Sequence, residues 1–592
     1  MQKFIKNQFS LILVLIIASL FFVVTAGFNY VLHEEDYVKW GSPDETANYY
    51  FTKNYALSGK LRVFEPANII SEEIVRPRSM RSDHGWLKPV SFLGIIIYYG
   101  FLASLFGIAI IPYITPFLAA LGIIFFFLWI RRLFSERIAL ISSALLASFP
   151  VYVYYSVRSM FHNVLFLVFL IMFAYFASLA VSKKYSLREK FLEYKLKANH
   201  YLGLLWPFLA GIFLGAAIAA RTSELIWLLP TLFIAYLFYF KRIGIRVFLV
   251  ICGAALAYLP IAYYNQLLFG SFIFGGYTEM NTSIVQISQA GGQFVSSTFS
   301  GSLAYFNDMW NILRDNIFYF GYQPRQSLEM FNYYVIKMFP LLFFSTAVGG
   351  FIFFLGAARK FRRWRLVYIL SWFILSSILV LYYGSWEFFD NPDPSRFTIG
   401  NSYTRYWLPL YLLALPLMSL AIVFFSRLFS GYFGRPSLIG KYDRARLYLN
   451  NGLQMLILGL FLAISWLFVF FGSEEGLSHM YYNHIFDKQE IERVLENTKE
   501  DSIIITQYHD KQLFPERKVV VALFDHNATN ETLAKLIDHY PIYYYNFFFP
   551  QEDFNYLNNR RLAEFGLNIE LISRHGPFGL YRLISVDNEN EN

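Results

Sequence analysis

The sequence predicts a polytopic α-helical membrane protein with about eleven transmembrane helices and a small α/β domain at its C-terminal end. Three observations predict this fold class. Of the 592 residues, 56% are hydrophobic and only 15% are charged, which is too apolar for a soluble domain. Apolar runs of roughly 20 residues, the length that crosses a bilayer, recur along the chain. These runs end near residue 472, and short strand-like segments follow.

Eleven apolar runs have the length of a membrane-spanning helix. They lie at about 8–27, 111–130, 137–156, 160–182, 201–220, 224–240, 245–264, 336–357, 366–384, 404–426 and 451–472. Segment 89–110 is also apolar, but as a twelfth span it would move the basic loop 131–137 to the outer side. We therefore expect segment 89–110 to lie along the membrane surface. The first run precedes Val-Thr-Ala-Gly, which resembles a signal-peptidase site, although its length favours a retained helix.

Basic residues are concentrated on one side of this topology. The segments concerned are the N-terminus and the loops 131–137, 183–200, 241–246, 358–365 and 427–450. Together they carry 24 of the 50 Lys and Arg residues but only 4 of the 41 Asp and Glu residues. The positive-inside rule places such loops in the cytoplasm. We therefore predict a multi-pass protein of the cell membrane, with a cytoplasmic N-terminus and an extracytoplasmic C-terminal domain.

Two domains are predicted, a transmembrane domain at 1–472 and an extracytoplasmic α/β domain at 473–592. Within the second domain, Asp501-Ser-Ile-Ile-Ile-Thr and Lys518-Val-Val-Val-Ala-Leu predict buried strands, and the stretch near Glu531–His539 predicts a helix. The long outer loops of the first domain are about 28–110, 265–335 and 385–403.

Composition also excludes some classes of function. The single cysteine, Cys252, lies in an apolar run, so no disulfide forms within the chain. The basic clusters are short and flank apolar runs, as membrane-bordering residues do, so we expect membrane lipid and no nucleic acid as a partner.

Asp44 and Glu45 form an acidic pair in the first outer loop. Two interpretations remain open. The pair can cap a helix that begins near Pro43. Alternatively, one carboxylate is a general base that takes a proton from an acceptor hydroxyl or amine at the lipid–water interface. Neighbouring carboxylates can divide such work because different environments give them different pKa values.

Lys88 ends the stretch Asp83-His84-Gly85-Trp86-Leu87-Lys88, just before the apolar segment 89–110. Its ammonium is suited to a lipid-linked phosphate, and a snorkelling lysine is the alternative. One histidine beside one aspartate is a weak metal signature, so we assign no metal ligand and leave a divalent metal open. Three further arginines, of which we expect at least two on a solvated face, precede this stretch: Arg76, Arg78 and Arg81.

Three arginines lie at the predicted outer ends of spans: Arg158, Arg221 and Arg405. Arginine on the outer side opposes the positive-inside bias and requires an anionic partner. Arg221 can pair with Glu224, three residues further on. Arg405 can hold a phosphate through two parallel hydrogen bonds.

Together these motifs resemble the GT-C superfamily of polyprenyl-phosphate-dependent glycosyltransferases, especially the protein O-mannosyltransferases and the lipid A aminoarabinose transferases. The order and placement of six short motifs carry the resemblance. They are Pro43-Asp-Glu-Thr with a downstream Ala56-Leu-Ser-Gly, Lys88-Pro, Arg131-Arg-Leu-Phe-Ser, Gly215-Ala-Ala-Ile-Ala-Ala-Arg-Thr, Arg405-Tyr-Trp-Leu-Pro and Asp501-Ser-Ile-Ile-Ile-Thr.

The resemblance implies an inverting transfer of a sugar from a polyprenyl-phosphate donor to a lipid, glycan or protein acceptor outside the cytoplasm. It implies that Asp44 is the catalytic base, with Glu45 beside it, and that Lys88 and Arg405 contact the lipid phosphate.

Further site candidates follow from their position near these residues. Arg158 and Arg221 are candidate donor ligands, and His84 and His162 are candidate acceptor or metal contacts. His162 follows the third span, where relatives commonly carry an acidic residue. No cofactor is assigned. Loops 265–335 and 385–403 are expected to set the choice of sugar.

Two other classes remain as alternatives: a transporter or flippase of lipid-linked sugars, and a surface-polysaccharide polymerase or ligase. Transporters place ionisable groups near the bilayer midplane and often contain inverted repeats, whereas the candidates here lie at span ends and the halves do not match. Polymerases and ligases are expected to depend on a large late loop. The acidic pair in the first loop therefore favours the transferase.

Overall fold

The computed structural model describes residues 2–34, 37–182, 198–272, 275–276, 321–359, 363–386, 388, 397–433, 441–472 and 475–586. Much of the predicted loops 183–200, 265–335 and 385–403 lies outside these ranges, including the parts expected to set the choice of sugar.

The described chain is mostly helical. In chain order the helices are α1 Gln2–Leu32, α2 Pro43–Ser58, α3 Ala67–Ile70, α4 Leu93–Phe106, α5 Ile111–Leu133, α6 Glu136–Ser148, α7 Pro150–Val157, α8 His162–Ser182, α9 Ala198–Ala220, α10 Leu225–Ile243, α11 Arg246–Phe269, α12 Pro324–Phe331, α13 Pro340–Arg359, α14 Arg363–Gly384, α15 Ser402–Tyr406, α16 Leu408–Phe433, α17 Lys441–Phe471, α18 Leu477–Glu496, α19 Asp510–Leu513, α20 Asn527–Leu536 and α21 Gln551–Tyr556. Short 3-10 or π-helical turns cover Ile108–Ile110, Thr222–Glu224, Asn332–Lys337, Leu557–Arg561 and Ala563–Phe565.

Nine helices within the described ranges are long and apolar enough to cross a membrane, or eleven spans if each of two bent helix pairs counts once. The pairs are Glu136–Ser148 with Pro150–Val157, bent by 51°, and Pro324–Lys337 with Pro340–Gly356, bent by 96°. Proline begins the second helix of each pair, and a residue without an N–H group suits a first helical turn. All eleven predicted runs coincide with these spans, so the polytopic prediction is confirmed. The orientation of the termini remains a prediction.

Helix α4 occupies segment 89–110, for which no span was predicted. It has 14 residues and a length of about 21 Å at 1.5 Å per residue, which is less than the roughly 30 Å of a hydrocarbon core. It packs closely on α2, because a Cβ atom on Gly100 would lie 2.5 Å from the Tyr55 ring and 3.2 Å from the Thr52 carbonyl oxygen. A length this short agrees with a segment that does not span.

The chain forms two compact units. One comprises Met1–Asn29, Tyr113–Tyr263 and Asn281–His479, and the other comprises Tyr30–Pro112, Tyr264–Met280 and Met480–Asn592. We call them the helical unit and the mixed unit. The mixed unit groups the first predicted outer loop with the C-terminal segment. The predicted domain limits, 1–472 and 473–592, remain a prediction.

Helices of the helical unit approach one another closely at glycines. A Cβ atom on Gly349 of α13 would collide with the backbone of Leu417 on α16, and one on Gly211 of α9 would collide with Val250 on α11. Small residues allow such contact between membrane helices, where apolar burial from water provides no driving force.

The mixed unit contains a five-stranded sheet of β4 Ile503–Ile505, β5 Lys518–Val520, β6 Ile542–Phe547, β7 Leu567–His575 and β8 Phe578–Ser585. The strand order is β5-β4-β6-β8-β7, with β4 parallel to β5 and β6, and β8 antiparallel to β6 and β7. The two predicted strands are β4 and β5, and α20 covers most of the predicted helix. The predicted α/β domain is therefore confirmed.

A smaller sheet lies in the first loop. Its strands are β1 Val63–Phe64, β2 Met80–Asp83 and β3 Trp86–Pro89, in the order β1-β3-β2. His84 and Gly85 join β2 to β3 with φ angles of 48° and 78°, the pair of positive angles found in tight hairpin turns. Ala67 and Val75 belong to the same apolar core as strand β4, so this loop packs on the C-terminal sheet.

Candidate functional site

The acidic pair lies in the first turn of α2, a helix that begins at Pro43. Proline suits this first position, and carboxylates are favourable near the positive end of a helix dipole. Ser42 occupies the capping position but makes no side-chain capping bond. Asp44 is half-buried, whereas Glu45 is 0% exposed. Of the two carboxylates, Asp44 is therefore the one that retains access to solvent.

The Asp44 carboxylate is oriented by a neighbouring hydroxyl. Ser79 Oγ donates to Asp44 Oδ1 at 2.5 Å. Ser79 has a φ angle of 62°, in the left-handed region that non-glycine residues rarely adopt. Ser79 was not predicted as a site residue, because a loop serine 35 residues from its partner carries no local signal.

Lys88 lies on β3 with a buried side chain. Its Nζ donates to Asp83 Oδ2 at 3.2 Å and to the Leu268 carbonyl oxygen at 3.1 Å, and it lies 5.2 Å from the centre of the Phe269 ring. A snorkelling lysine extends its ammonium into solvent, whereas this ammonium is enclosed by oxygen acceptors and an aromatic face.

His84 lies at the tip of the β2–β3 turn with a 96% exposed side chain, and its Nε2 is 3.8 Å from Asp83 Oδ1. The described residues contain no group of three or more His, Cys, Asp or Glu side chains that could hold a metal ion. His84 and Asp83 alone do not make a metal site.

In the helical unit, two of the arginines predicted to be site residues contact the same aromatic ring. Arg158 follows the C-terminus of α7, and Arg405 lies in the short helix α15. Their guanidinium carbons are 4.7 Å and 4.3 Å from the centre of the Phe161 ring. Arg405 also donates from Nη2 to Ser402 Oγ at 2.7 Å. Both arginines are half-buried.

Arg221 is joined to this pair through a second ring. Its guanidinium carbon lies 4.6 Å from the centre of the Tyr406 ring, and that of Arg405 lies 5.2 Å from the same centre. Arg221 also forms the predicted ion pair with Glu224, with Nε 2.9 Å from Oε1. Tyr383 completes this buried group, since its hydroxyl donates to Glu224 Oε1 at 2.9 Å.

We call Arg158, Arg221 and Arg405, with the rings of Phe161 and Tyr406, the arginine cluster. His162 is buried at the start of α8, next to Phe161 in the chain. The neighbouring Asn163 donates from Nδ2 to the Arg405 carbonyl oxygen at 3.1 Å and ties the start of α8 to α15. The sequence identified the three arginines but not Phe161, because a phenylalanine in an aromatic-rich chain carries no distinguishing signal.

No protein-family model and no curated protein sequence matches the chain, but solved structures do. The Archaeoglobus fulgidus oligosaccharyltransferase in complex with Zn and sulfate aligns with a TM-score of 0.55 and 14% identity, over 96% of this chain and 72% of that one. The archaeal oligosaccharyltransferase AglB from Archaeoglobus fulgidus, in complex with an inhibitory peptide and a dolichol-phosphate, aligns with a TM-score of 0.54 and 14% identity, over 97% and 74%. ArnT from Cupriavidus metallidurans bound to undecaprenyl phosphate aligns with a TM-score of 0.46 and 13% identity, over 95% and 97%.

The two archaeal alignments show a shared fold, at identities too low to show more. Those neighbours are GT-C membrane enzymes, so the GT-C fold expected from the sequence motifs is confirmed.

Proposed function

We propose that this protein is an inverting glycosyltransferase that moves a sugar from a polyprenyl-phosphate donor to an acceptor at the extracytoplasmic face of the membrane. The observation that carries the proposal is the arginine cluster, in which Arg158 and Arg405 share one ring at helix ends of a GT-C fold. One neighbour of this fold contains a dolichol-phosphate, a lipid phosphate of the same chemical class.

The arginine cluster is suited to a lipid phosphate. Guanidinium groups bind phosphate oxygens through paired hydrogen bonds and stay charged at any physiological pH. Arg158 and Arg405 face the same ring, and we assign them as the principal phosphate ligands. Arg221, which forms an ion pair with Glu224, supports them. Lys88 is the further phosphate ligand that we assign.

The reaction follows from these roles. The acceptor oxygen or nitrogen attacks the anomeric carbon of the donor from the face opposite the phosphate, and Asp44 takes the acceptor proton. The bond from the anomeric carbon to the phosphate oxygen breaks, and the lipid phosphate leaves with the bonding electrons. Cations at the leaving oxygen stabilise the charge that develops there. Glu45, the next residue in the chain, is fully buried, and we assign it a supporting role beside Asp44.

A divalent metal is not part of this scheme. One neighbour was solved with Zn, but within the described ranges no three potential ligand side chains converge. His84 and His162 therefore stay candidate acceptor contacts, and we route no step through a metal.

The positions of the three arginines also favour a glycosyltransferase over a transporter. Arg158 follows the last residue of α7, Arg221 follows the last residue of α9, and Arg405 precedes α16. Transporter sites are expected near the middle of spans, at interrupted helices. Charges at helix ends are better suited to a headgroup at the membrane surface.

The decisive experiment measures sugar transfer in membranes from a panel of radiolabelled polyprenyl-phosphate sugars. Wild type is compared with Asp44→Asn, which keeps the size of the side chain but removes the base. We expect a loss of ~10²-fold or more, the range for a general base. Asp501→Asn, at a carboxylate that is 75% exposed, is the matched control. Absence of transfer from every donor by folded wild type would overturn the proposal and favour a transporter.

A further inference from the structure

The Ser79–Asp44 hydrogen bond depends on a backbone conformation that serine does not favour. The φ angle of 62° places Ser79 in the left-handed region, where a side chain crowds the backbone. Such a conformation persists only where the surroundings impose it. The contacts on either side of Ser79 therefore identify what holds this hydroxyl against the carboxylate.

On one side, Arg78, the residue before Ser79, is held by the buried carboxylate of Asp510 in the C-terminal segment. The Arg78 backbone N–H donates to Asp510 Oδ2 at 2.8 Å, and its side chain donates to Asp510 Oδ1 from Nε at 3.0 Å and from Nη2 at 2.6 Å. Asp510 is 0% exposed, and Arg78 is 40% exposed. One oxygen of the carboxylate thus binds the side chain of Arg78 and the other binds its backbone N–H, through charge-assisted hydrogen bonds.

On the other side, Ser79 leads directly into strand β2. Met80 pairs with Pro89 across the small sheet, and the Ser79 carbonyl oxygen accepts from the Val90 N–H at 3.4 Å. Ser79 is therefore held between an ion pair to the C-terminal segment and a paired strand. The expectation that most of the first-loop arginines lie on a solvated face does not describe Arg78.

We propose that Ser79 is a positioning residue for the base Asp44, and that the Arg78–Asp510 pair makes this positioning depend on the C-terminal segment. This inference rests on the proposed function, because it concerns the orientation of the catalytic carboxylate. Asp510 touches no reacting atom; it acts through Arg78 and Ser79. The C-terminal segment thereby affects the rate of transfer, in addition to any role in binding an acceptor. It does so within the mixed unit, to which Asp44 and Ser79 also belong.

Two substitutions at Ser79 distinguish an effect on the orientation of Asp44 from an effect on the stability of the fold. Ser79→Gly removes the hydroxyl and accepts the positive φ angle without crowding. Ser79→Thr keeps the hydroxyl but places a β-branched residue at the same angle, which is unfavourable. We expect Ser79→Gly to unfold at or above the wild-type temperature yet to transfer sugar about 10-fold more slowly in kcat, with an unchanged KM for the donor. Ser79→Thr is expected to unfold at a lower temperature but to keep most of its kcat.

A double variant tests whether Asp510 acts on Ser79 through Arg78. Arg78→Ala lowers kcat in the wild-type background, but in the Ser79→Gly background it should cause little further loss, because residues acting through one contact are not additive. Wild-type kcat in Ser79→Gly, together with a large loss in Asp44→Asn, would overturn the positioning role and leave the proposed function standing. Absence of transfer by wild type would overturn both. Fully additive losses for Arg78→Ala and Ser79→Gly would overturn the link to Asp510.

Discussion

Arg158 and Arg405 stack on the same phenylalanine, with guanidinium carbons 4.7 Å and 4.3 Å from the centre of the Phe161 ring. An aromatic face attracts a cation, which offsets part of the repulsion between the two like charges. A lipid phosphate bound near both guanidinium groups would offset this repulsion further. We therefore propose that the pair binds an anionic group.

The first prediction concerns these two guanidinium groups. Arg405→Lys and Arg158→Lys keep the charge but lose the planar fork that makes two hydrogen bonds to one phosphate. We expect each to lower kcat/KM for the polyprenyl-phosphate donor about 10-fold, measured from initial rates across donor concentrations. Arg427→Lys, at an exposed arginine near the end of α16, should leave the rate unchanged. Wild-type kinetics in both cluster variants would remove the arginines from the donor site.

The second prediction concerns the buried pair of Arg221 and Glu224. Glu224→Gln leaves the Arg221 charge without its carboxylate, and breaking a buried ion pair costs about 3–5 kcal/mol. We expect a clearly lower unfolding temperature in detergent. The double variant Arg221→Gln with Glu224→Gln should recover part of this loss, because it leaves no uncompensated charge. A double variant less stable than Glu224→Gln alone would contradict this account of the pair.

Different features of the sequence predicted the membrane spans and the charged residues of the candidate site. A run of apolar residues is a local property, and a helix is required wherever a chain crosses lipid because its backbone must be satisfied internally. The eleven spans were therefore predictable. Charges at span ends are equally local, which is why Arg158, Arg221 and Arg405 were identified.

What could not be predicted is which of these residues meet. The contact of Arg158 with Phe161 and Arg405 depends on how α7, α8 and α15 pack, and packing leaves no periodic trace in one sequence. Ser79 depends on a left-handed backbone angle and on Asp510, which is 432 residues from Arg78. The break between α6 and α7 at Pro150 was missed too, because proline also occurs within straight membrane helices.

The third prediction concerns Lys88. Lys88→Met keeps the apolar stem in its buried place but removes the ammonium that now contacts Asp83 and the Leu268 carbonyl oxygen. If this ammonium also contacts the lipid phosphate, the KM for the donor should rise about 10-fold with little change in unfolding temperature, since Asp83 is 54% exposed. Asp83→Asn is the matched control and should change the KM much less. An unchanged KM in Lys88→Met would leave Lys88 with a structural role only.

The last prediction concerns pH and the stability of the mixed unit. Burial, reinforced by the nearby His484, lowers the pKa of His33 from 6.5 to about 3. The folded state therefore keeps His33 neutral, whereas the unfolded chain takes up a proton near pH 6.5. Stability from this residue is complete above pH 6.5 and is lost as the pH falls from there towards 3, by up to about 1.4 kcal/mol per pH unit. Burial lowers the pKa of His509 to about 4, which acts in the same direction.

Thermal unfolding of the detergent-solubilised protein between pH 8 and pH 4.5 measures this effect. The unfolding temperature of wild type should fall as the medium becomes more acidic, and His33→Gln, which does not titrate, should fall less steeply. His84→Gln, at a side chain that is 96% exposed, should follow the wild-type curve. Both His33 ring nitrogens are buried, and neither has a hydrogen-bond partner among the residues that the structure describes, so protonation would place a charge where none of those residues accepts it. Identical curves for wild type and His33→Gln would show that His33 is not responsible for the acid sensitivity.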